Sequence, residues 1–484
     1  MTVSAVEITS KRVRQRELHG ITEAGPELLP LDAGQQYRFT FNMNACIGCH
    51  SCEVACAEQN GLPADTAWRR VGEIEGGDFP TTKRFYLSMA CNHCLEPACL
   101  EGCPTQAYVK LANGVVQHHA DDCIGCQYCT WNCPYSVPAF QPDRRIVTKC
   151  DMCTPRLEAG QTPACVGACP THAIGVERVD IEAWRADHRL ADAPHLPSSD
   201  ITISTTRIIL PDDLPEDTFS ASDYTLQPEH PHWPLVWVTL LTQIAMGVMA
   251  GAVVAGSQDS SVAAFVAAAV ALPASLFHLG RPLMAFKALR GLRRSWLSRE
   301  VLAFGLFAGA AGVAAVATSP TTDTIALAIG LLGVYASGRL YIVPGRPSWN
   351  SPLTVVQFVA AGLAIGPLIV AMVDGADGSL RALAAIGSIA SLGAYGANLL
   401  RLAKDERLEY HGTWTLTTGH LRSWFVLRVV AGLAAVLLAV TGPFWSAVLV
   451  AAAAELVGRW LFYVSVVPLN MPGAFFRGRS GAHR

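Results

Sequence analysis

The stretch CIGCHSCEVACAEQN (46–60) returns in nearly the same form as CIGCQYCTWNCPYSV (123–137). Both space their cysteines CxxCxxCxxxC. Between them lies CNHCLEPACLEGCP (91–104), spaced CxxCxxxxCxxxC, and after them come Cys150, Cys153, Cys165 and Cys169, with a longer gap between the two pairs. The chain holds 16 cysteines, and all of them fall into these four groups of four. Pro104, Pro134 and Pro170 follow the last cysteine of three groups, and Ala57 stands at that place in the first.

Three closely spaced thiolates followed by a fourth and a proline form the run of bacterial ferredoxins. The near three hold one iron–sulfur cubane, and the fourth ligates the neighbouring cluster. Sixteen cysteines then match four [4Fe–4S] clusters with none left over. Structural zinc would use as many cysteines, but zinc sites pair CxxC units across a spacer rather than repeating CxxCxxCxxxCP. Cys46-Ile-Gly-Cys49-His50 also fits the c-type haem attachment pattern. Cys52 and Cys56 continue the ferredoxin spacing, which makes His50 incidental to that reading.

The rest of the 484 residues are very different. The chain is 51% hydrophobic and 15% charged, with a mean hydropathy of +0.30. Its net charge of −3 argues against nucleic acid as a partner. After Trp233 come eight apolar segments of membrane-spanning length, at 233–256, 262–280, 300–318, 324–343, 353–373, 380–400, 422–441 and 446–467. Gly247/Gly251 and Gly305/Gly309 are spaced GxxxG, a pattern that an Ala- and Gly-rich chain also produces by chance. Basic residues crowd the loops on one side: Arg281, Lys287, Arg290, Arg293, Arg294 and Arg299, then Arg339 and Arg346, then Arg401, Lys404 and Arg407, with Arg477, Arg479 and Arg484 in the tail. The other side offers only Arg381. The positive-inside rule places the basic side, both termini and the cysteine domain in the cytoplasm. The first 20 residues have no apolar core and no twin arginine, so they do not read as a signal peptide, and cysteines in a reducing compartment serve as metal ligands.

The expected organisation is therefore an N-terminal arm (1–36), a four-cluster domain (37–180), a linker or docking arm (181–232), an eight-span membrane domain (233–470) and a basic tail (471–484). In fold class this is an α+β ferredoxin-like domain with two pseudo-repeats, followed by an all-α eight-helix transmembrane bundle. Within it, 37–44 reads as a strand, AYVKL (107–111) and VVQHH (115–119) as a hairpin about Asn113-Gly114, and 201–210 as a further strand.

Over residues 37–180 the chain resembles the iron–sulfur subunits of the DMSO reductase family of molybdoenzymes. Over about 230–470 it resembles the family's membrane anchor, in HPHWPLVWVT (230–239), LFHLGRPLMAFKAL (276–289), RLYIVPGRPSWNSP (339–352), RSWFVLRVV (422–430) and AELVGRWLFY (454–463). In most relatives these are separate chains; here they are fused. The resemblance implies four ligand sets: Cys46, Cys49, Cys52 and Cys169; Cys56, Cys150, Cys153 and Cys165; Cys91, Cys94, Cys99 and Cys133; and Cys103, Cys123, Cys126 and Cys129. It also implies a quinone site in which the histidine of HLG, here His278, and a glutamate opening the next helix, here Glu300, govern menaquinol oxidation. Relatives carry an arginine where Met284 stands, and Arg281 lies one turn earlier as the candidate substitute. The chemistry agrees, since quinol oxidation needs a base near the membrane surface and a carboxylate to pass protons on. Glu455 and Arg459, at i and i+4 in the last span, read as a structural ion pair.

The chain shows no pterin- or nucleotide-binding fingerprint of its own. By resemblance its partner is a separate catalytic subunit holding a molybdenum bis-pterin, and the membrane supplies lipid and the quinone pool. The partner's substrate is DMSO, another N- or S-oxide, nitrate or polysulfide. With the flow reversed it is sulfite; cytoplasmic clusters favour a cytoplasmic substrate, and so sulfite oxidation or an assimilatory role over periplasmic respiration. Outside this class stand a cluster-dependent quinone reductase fed by a soluble carrier and a non-redox, zinc-stabilised membrane protein.

Overall fold

A computed structural model describes residues 30–64, 66–220, 226–317, 319–375 and 378–470. Most of the arm and the whole basic tail lie outside the described residues. The cysteine domain is built on short sheets. Strand β1 (Gln35–Asn42) is central to the first. Strand β8 (Ile174–Asp180) runs antiparallel to it, with Gln35 opposite Asp180 and Phe41 opposite Ile174. Strand β9 (Arg207–Ile209) runs parallel to it on the other edge. A second sheet joins β2 (Arg70–Gly76), β3 (Lys83–Met89) and β10 (Phe219–Ser220) in the order β10-β2-β3. The expected Asn113-Gly114 hairpin forms, pairing β4 (Tyr108–Lys110) with β5 (Val116–His118). Gly114 takes the φ of +87° that such a turn demands. Strands β6 (Ala139–Gln141) and β7 (Ile146–Thr148) make the last pair. Phe39, Phe41, Met43, Ile74, Leu87 and Met89 form an apolar core shared with buried cysteines.

The stretch read as a linker or docking arm folds back onto this domain. Besides β9 and β10, it carries a helix (Ile181–Asp187) capped by the Asp180 carboxylate, which accepts from the Ala183 amide at 2.9 Å. Trp184 is buried under it and donates its indole N–H to the Ser204 carbonyl at 2.9 Å. Of the expected 201–210 strand, only Arg207–Ile209 pairs.

Among the described residues, eight helices are long and apolar enough to cross a membrane: α1 (Trp233–Ala255), α2 (Gln258–Ala274, its span running on to His278), α3 (Trp296–Ala317), α4 (Pro320–Leu340), α5 (Leu353–Asp374), α6 (Gly378–Ala403), α7 (Arg422–Thr441) and α8 (Phe444–Val464). A shorter helix (Leu408–Thr418) joins α6 to α7. Helix α2 carries Pro273 and ends in a 3-10 turn over Ser275–His278, whose last residue is the histidine of HLG. Helix α5 lies centrally, packed on α1 and α6. The first GxxxG pair is used after all. A Cβ on Gly247 would fall on the Gly362 backbone of α5, and one on Gly251 would meet Pro367 and Val370. Gly305 and Gly309 face nothing within 4 Å, so that pair is incidental.

Candidate functional site

The two CIGC loops fold alike. Gly48 and Gly125 take φ +66° and +67°, and His50 and Gln127 take +58° and +60°. Each loop runs into a short helix, Ser51–Gln59 or Tyr128–Asn132. A left-handed backbone is costly for non-glycine residues, so its repetition marks a loop shaped around something. The proline-flanked ends repeat as well. In Cys103-Pro-Thr-Gln-Ala107 and Cys169-Pro-Thr-His-Ala173, the last amide donates to the first sulfur at 3.3 and 3.2 Å. Backbone amides also donate to Cys91, Cys123 and Cys150, each at 3.4 Å. The Thr202 hydroxyl donates to Cys94 Sγ at 3.2 Å. Sulfurs ringed by N–H and O–H donors are set up to be thiolates.

The cysteine side chains gather from distant parts of the sequence, not within each run. Cys46 has Cys52, Cys169 and Cys49 as neighbours. Cys56 has Cys165 and Cys153, and Cys150 has Cys56 and Cys165. Cys99 is surrounded by Cys133, Cys91 and Cys94. Cys129 is surrounded by Cys126, Cys103 and Cys123. These four sets follow one another in a line: Cys52 lies beside Cys165, Cys150 beside Cys91, and Tyr108 beside Cys129, Cys99 and Cys103. Burial pushes the Cys94 and Cys126 thiols up to about 12 and Cys46 and Cys133 to about 11. Buried thiols of this kind ionise only against positive charge, which iron supplies. Each thiolate of a cubane binds its own iron at a separate corner, so four sulfurs gather around a volume and not around one ion. Among the described residues, no three His, Cys, Asp or Glu side chains converge to hold a single metal ion.

Two buried cations lie between sets. Arg69, 2% exposed, sits near Cys165, Cys52, Cys150 and Cys56 and donates to the Ser88 carbonyl at 3.2 Å. Lys149, 3% exposed, sits near Cys91, Cys99 and Cys150 and donates to the Cys150 carbonyl at 2.9 Å. Burial pulls the Lys149 ammonium down, but the surrounding thiolates outweigh it and its pKa is raised.

The set of Cys103, Cys123, Cys126 and Cys129 faces the membrane domain. The Gly280 amide donates to Gly125 O at 3.3 Å and the Arg281 amide to Ile124 O at 3.0 Å. Lys287 and Arg290 reach Asp122 at 3.1 and 2.8 Å, and the Gly291 amide reaches Pro104 O at 2.7 Å. Tyr128 donates to Leu340 O at 2.7 Å. Trp131 packs edge-on against Trp349, with ring centres 5.2 Å apart. Three of the loop's basic residues, Arg281, Lys287 and Arg290, therefore hold the two domains together.

Below this contact is an apolar cavity with about 930 Å³ of free space, part of it open, between α1, α2, α3 and α4. Its lining includes Cys126, Tyr128, Thr239, His278, Glu300 and Tyr341. Cys126, His278 and Glu300 are all expected site residues, and the fold brings the three to this one cavity. His278 Nδ1 is buried, facing the Ser275 backbone without a full hydrogen bond, and Glu300 lies beside Ser337. Leu276 and Val301, also in the lining, are 40% and 39% exposed, so the cavity reaches the lipid-facing surface between α2 and α3. Arg281, the third expected quinone residue, is placed differently: it is not in the cavity lining, and its guanidinium donates to Ala120 O at 2.9 Å, on the cysteine domain. Tyr128, Thr239 and Tyr341 are additions, because aromatic and hydroxyl residues carry no spacing signal in an apolar helix. Tyr341 continues the polar lining inward through a 2.6 Å hydroxyl contact with Tyr463.

The expected Glu455–Arg459 pair is not made. Glu455 binds Arg428 of α7 at 2.9 Å and accepts from Ser391 of α6 at 3.0 Å. Arg459 donates to Gln243 of α1 at 2.8 Å and lies over Phe358. Glu455 thereby gains two partners from other helices, while Arg459 keeps one hydrogen bond and the face of Phe358.

Comparison with known proteins is consistent with both halves. A family model described as "4Fe-4S dicluster domain" matches residues 82–178, and one described as "DMSO reductase anchor subunit (DmsC)" matches residues 227–471. Over 177 residues the protein is 38% identical to a chain of the anaerobic dimethyl sulfoxide reductase of Haemophilus influenzae, spanning 35% of this chain and 86% of the relative. Over 202 residues it is 34% identical to a chain of the anaerobic dimethyl sulfoxide reductase of Escherichia coli K12, spanning 40% of this chain and 98% of the relative. Over 160 residues it is 36% identical to a subunit of the sulfite dehydrogenase of Allochromatium vinosum, spanning 28% of this chain and 67% of the relative.

Proposed function

Since this protein belongs to the DMSO reductase anchor subunit family, with a 4Fe-4S electron-transfer domain fused ahead of the anchor, we propose that its membrane cavity takes electrons from a quinol and that its cysteines pass them to a separate catalytic subunit. The four cysteine sets would each hold one [4Fe–4S] cluster, and such clusters supply one-electron carriers. The partner is a molybdenum bis-pterin enzyme.

The observation that carries this reading is that His278 and Glu300 line one cavity with Cys126. A quinol entering from the lipid side between Leu276 and Val301 would put a ring hydroxyl within reach of His278. As the quinol gives up two electrons and two protons, His278 accepts a ring-hydroxyl proton; Glu300, on the same cavity wall, takes protons on towards the surface; Tyr128 and Tyr341 bound the ring. The apolar walls hold the ring and keep bulk water from the exchange. At the far end of the line Cys49 is exposed, with Ile47 and Val54 beside it 60% and 58% exposed. That surface suits docking of the catalytic subunit. The basic loops dock the cysteine domain, so the positive-inside rule puts that domain in the cytoplasm.

The anchor match favours a reductase fed by quinol. The likeness to the sulfite dehydrogenase relative, which spans 28% of this chain, supports the reverse flow as the second reading. The test is to add a menaquinol analogue to the anaerobically purified chain and follow reduced-cluster signals by electron paramagnetic resonance. Signals that grow with quinol support the proposal, and a chain that dithionite reduces but quinol does not sinks it.

A further inference from the structure

His93 lies inside the second cysteine run, Cys91-Asn92-His93-Cys94, and is 0% exposed. Its backbone amide donates to Cys91 Sγ at 3.4 Å. Its carbonyl accepts from Lys110 Nζ at 3.1 Å. Its ring points the other way, out of its own set and towards the next. The Val116 amide donates to Nδ1 at 3.0 Å. A backbone amide only donates, so Nδ1 must carry its lone pair and the ring proton must sit on Nε2. Nε2 lies 4.0 Å from Cys150 Sγ. Strand β5 thus dictates which ring nitrogen carries hydrogen, and that hydrogen faces a sulfur of the neighbouring set. A single residue touches one set through its main chain and the next through its ring.

We propose that His93 donates its Nε2–H to the Cys150 thiolate and thereby raises the reduction potential of the cluster held by Cys56, Cys150, Cys153 and Cys165. This rests on the four-cluster reading above. A donor to a ligand sulfur stabilises the reduced, more negative cluster more than the oxidised one, which moves the potential upwards. His93 is a positioning residue: it touches ligands, not substrate.

The test is a reductive titration of the whole chain, followed by electron paramagnetic resonance, for the unmodified protein, His93→Phe and His93→Gln. Phe fills the ring volume without a donor, and Gln restores an N–H. In His93→Phe one midpoint should fall so that reduction becomes about tenfold less favourable at a fixed ambient potential, about 59 mV for one electron, while three stay in place. His93→Gln should recover most of the shift. Four unchanged midpoints, or four that move together, would overturn the assignment. If His93→Phe loses iron, the unmodified protein decides, labelled with 15N-histidine. One histidine nitrogen with an exchangeable proton, coupled to a reduced cluster, supports the proposal, and no coupled histidine refutes it. A chain with no reducible clusters would instead fail the underlying reading, which iron and sulfide analysis on the same sample detects.

Discussion

Gly280 and Gly125 meet backbone to backbone, the amide of the first donating to the carbonyl of the second at 3.3 Å. The loop that closes the second membrane span is thereby tied to the loop holding Cys123 and Cys126. A Cβ on Gly280 would land on Arg145, and one on Gly125 on both Arg145 and Gly280. Gly280→Ala should therefore loosen the docking by about 1–3 kcal/mol. It should lower quinol-linked electron transfer while the clusters stay intact, as read by iron content and limited proteolysis of the interface. Unchanged transfer would mean that this contact does not set the distance.

Cluster content is the second expectation. Anaerobically purified protein should hold about sixteen irons per chain and an equal amount of acid-labile sulfide. Near four zincs with negligible sulfide would end the electron-transfer reading. Cys129→Ser should damage only the set facing the cavity and interrupt electron flow without preventing membrane insertion. Full quinol-linked activity in that variant would contradict a linear path.

Much of this arrangement is legible in the residues alone, and the limits have physical causes. Cysteine spacing reports a local loop, and period and length report a span, so the runs and the eight helices can be read directly. Spacing is silent about tertiary choice. Glu455 and Arg459 sit one turn apart, which suggests a pair, yet Arg428 and Gln243 reach them from other helices. Arg281 suggests part of the quinone site because it lies one turn before Met284, where relatives carry an arginine, but the chain leaving the 3-10 turn carries its guanidinium to Ala120 of the cysteine domain. The fold of 181–220 against the cysteines is hidden by its Pro- and Asp-rich composition, which resembles a linker while Trp184 anchors it.

The buried Glu455–Arg428 contact makes its own prediction. Glu455→Ala leaves the Arg428 guanidinium without its carboxylate in an apolar interior and should cost about 3–5 kcal/mol. The measurement is the temperature at which detergent-solubilised protein aggregates. No change in that temperature would show that Ser391 and water suffice for Arg428.

Topology is tested by reporter fusions. Fusions at Ser257, Thr321, Gly375 and Pro443 should report the periplasm, and one near Arg293 should report the cytoplasm. The opposite pattern would refute the charge argument and move the cysteine domain and its partner to the periplasm.

The central claim is that His278 is the base that accepts a proton from quinol at the cavity it shares with Glu300 and Cys126. The most direct measurement is a pair of rates, quinol-linked and dye-linked, on membranes of equal cluster content, because dyes feed the clusters without using the cavity. His278→Ala should cut the quinol-linked rate by about 10²-fold or more and leave the dye-linked rate in place, with Glu300→Gln less severe because water partly replaces the carboxylate. Loss of both rates together would make His278 structural, and loss of neither would place the quinone elsewhere in the bundle.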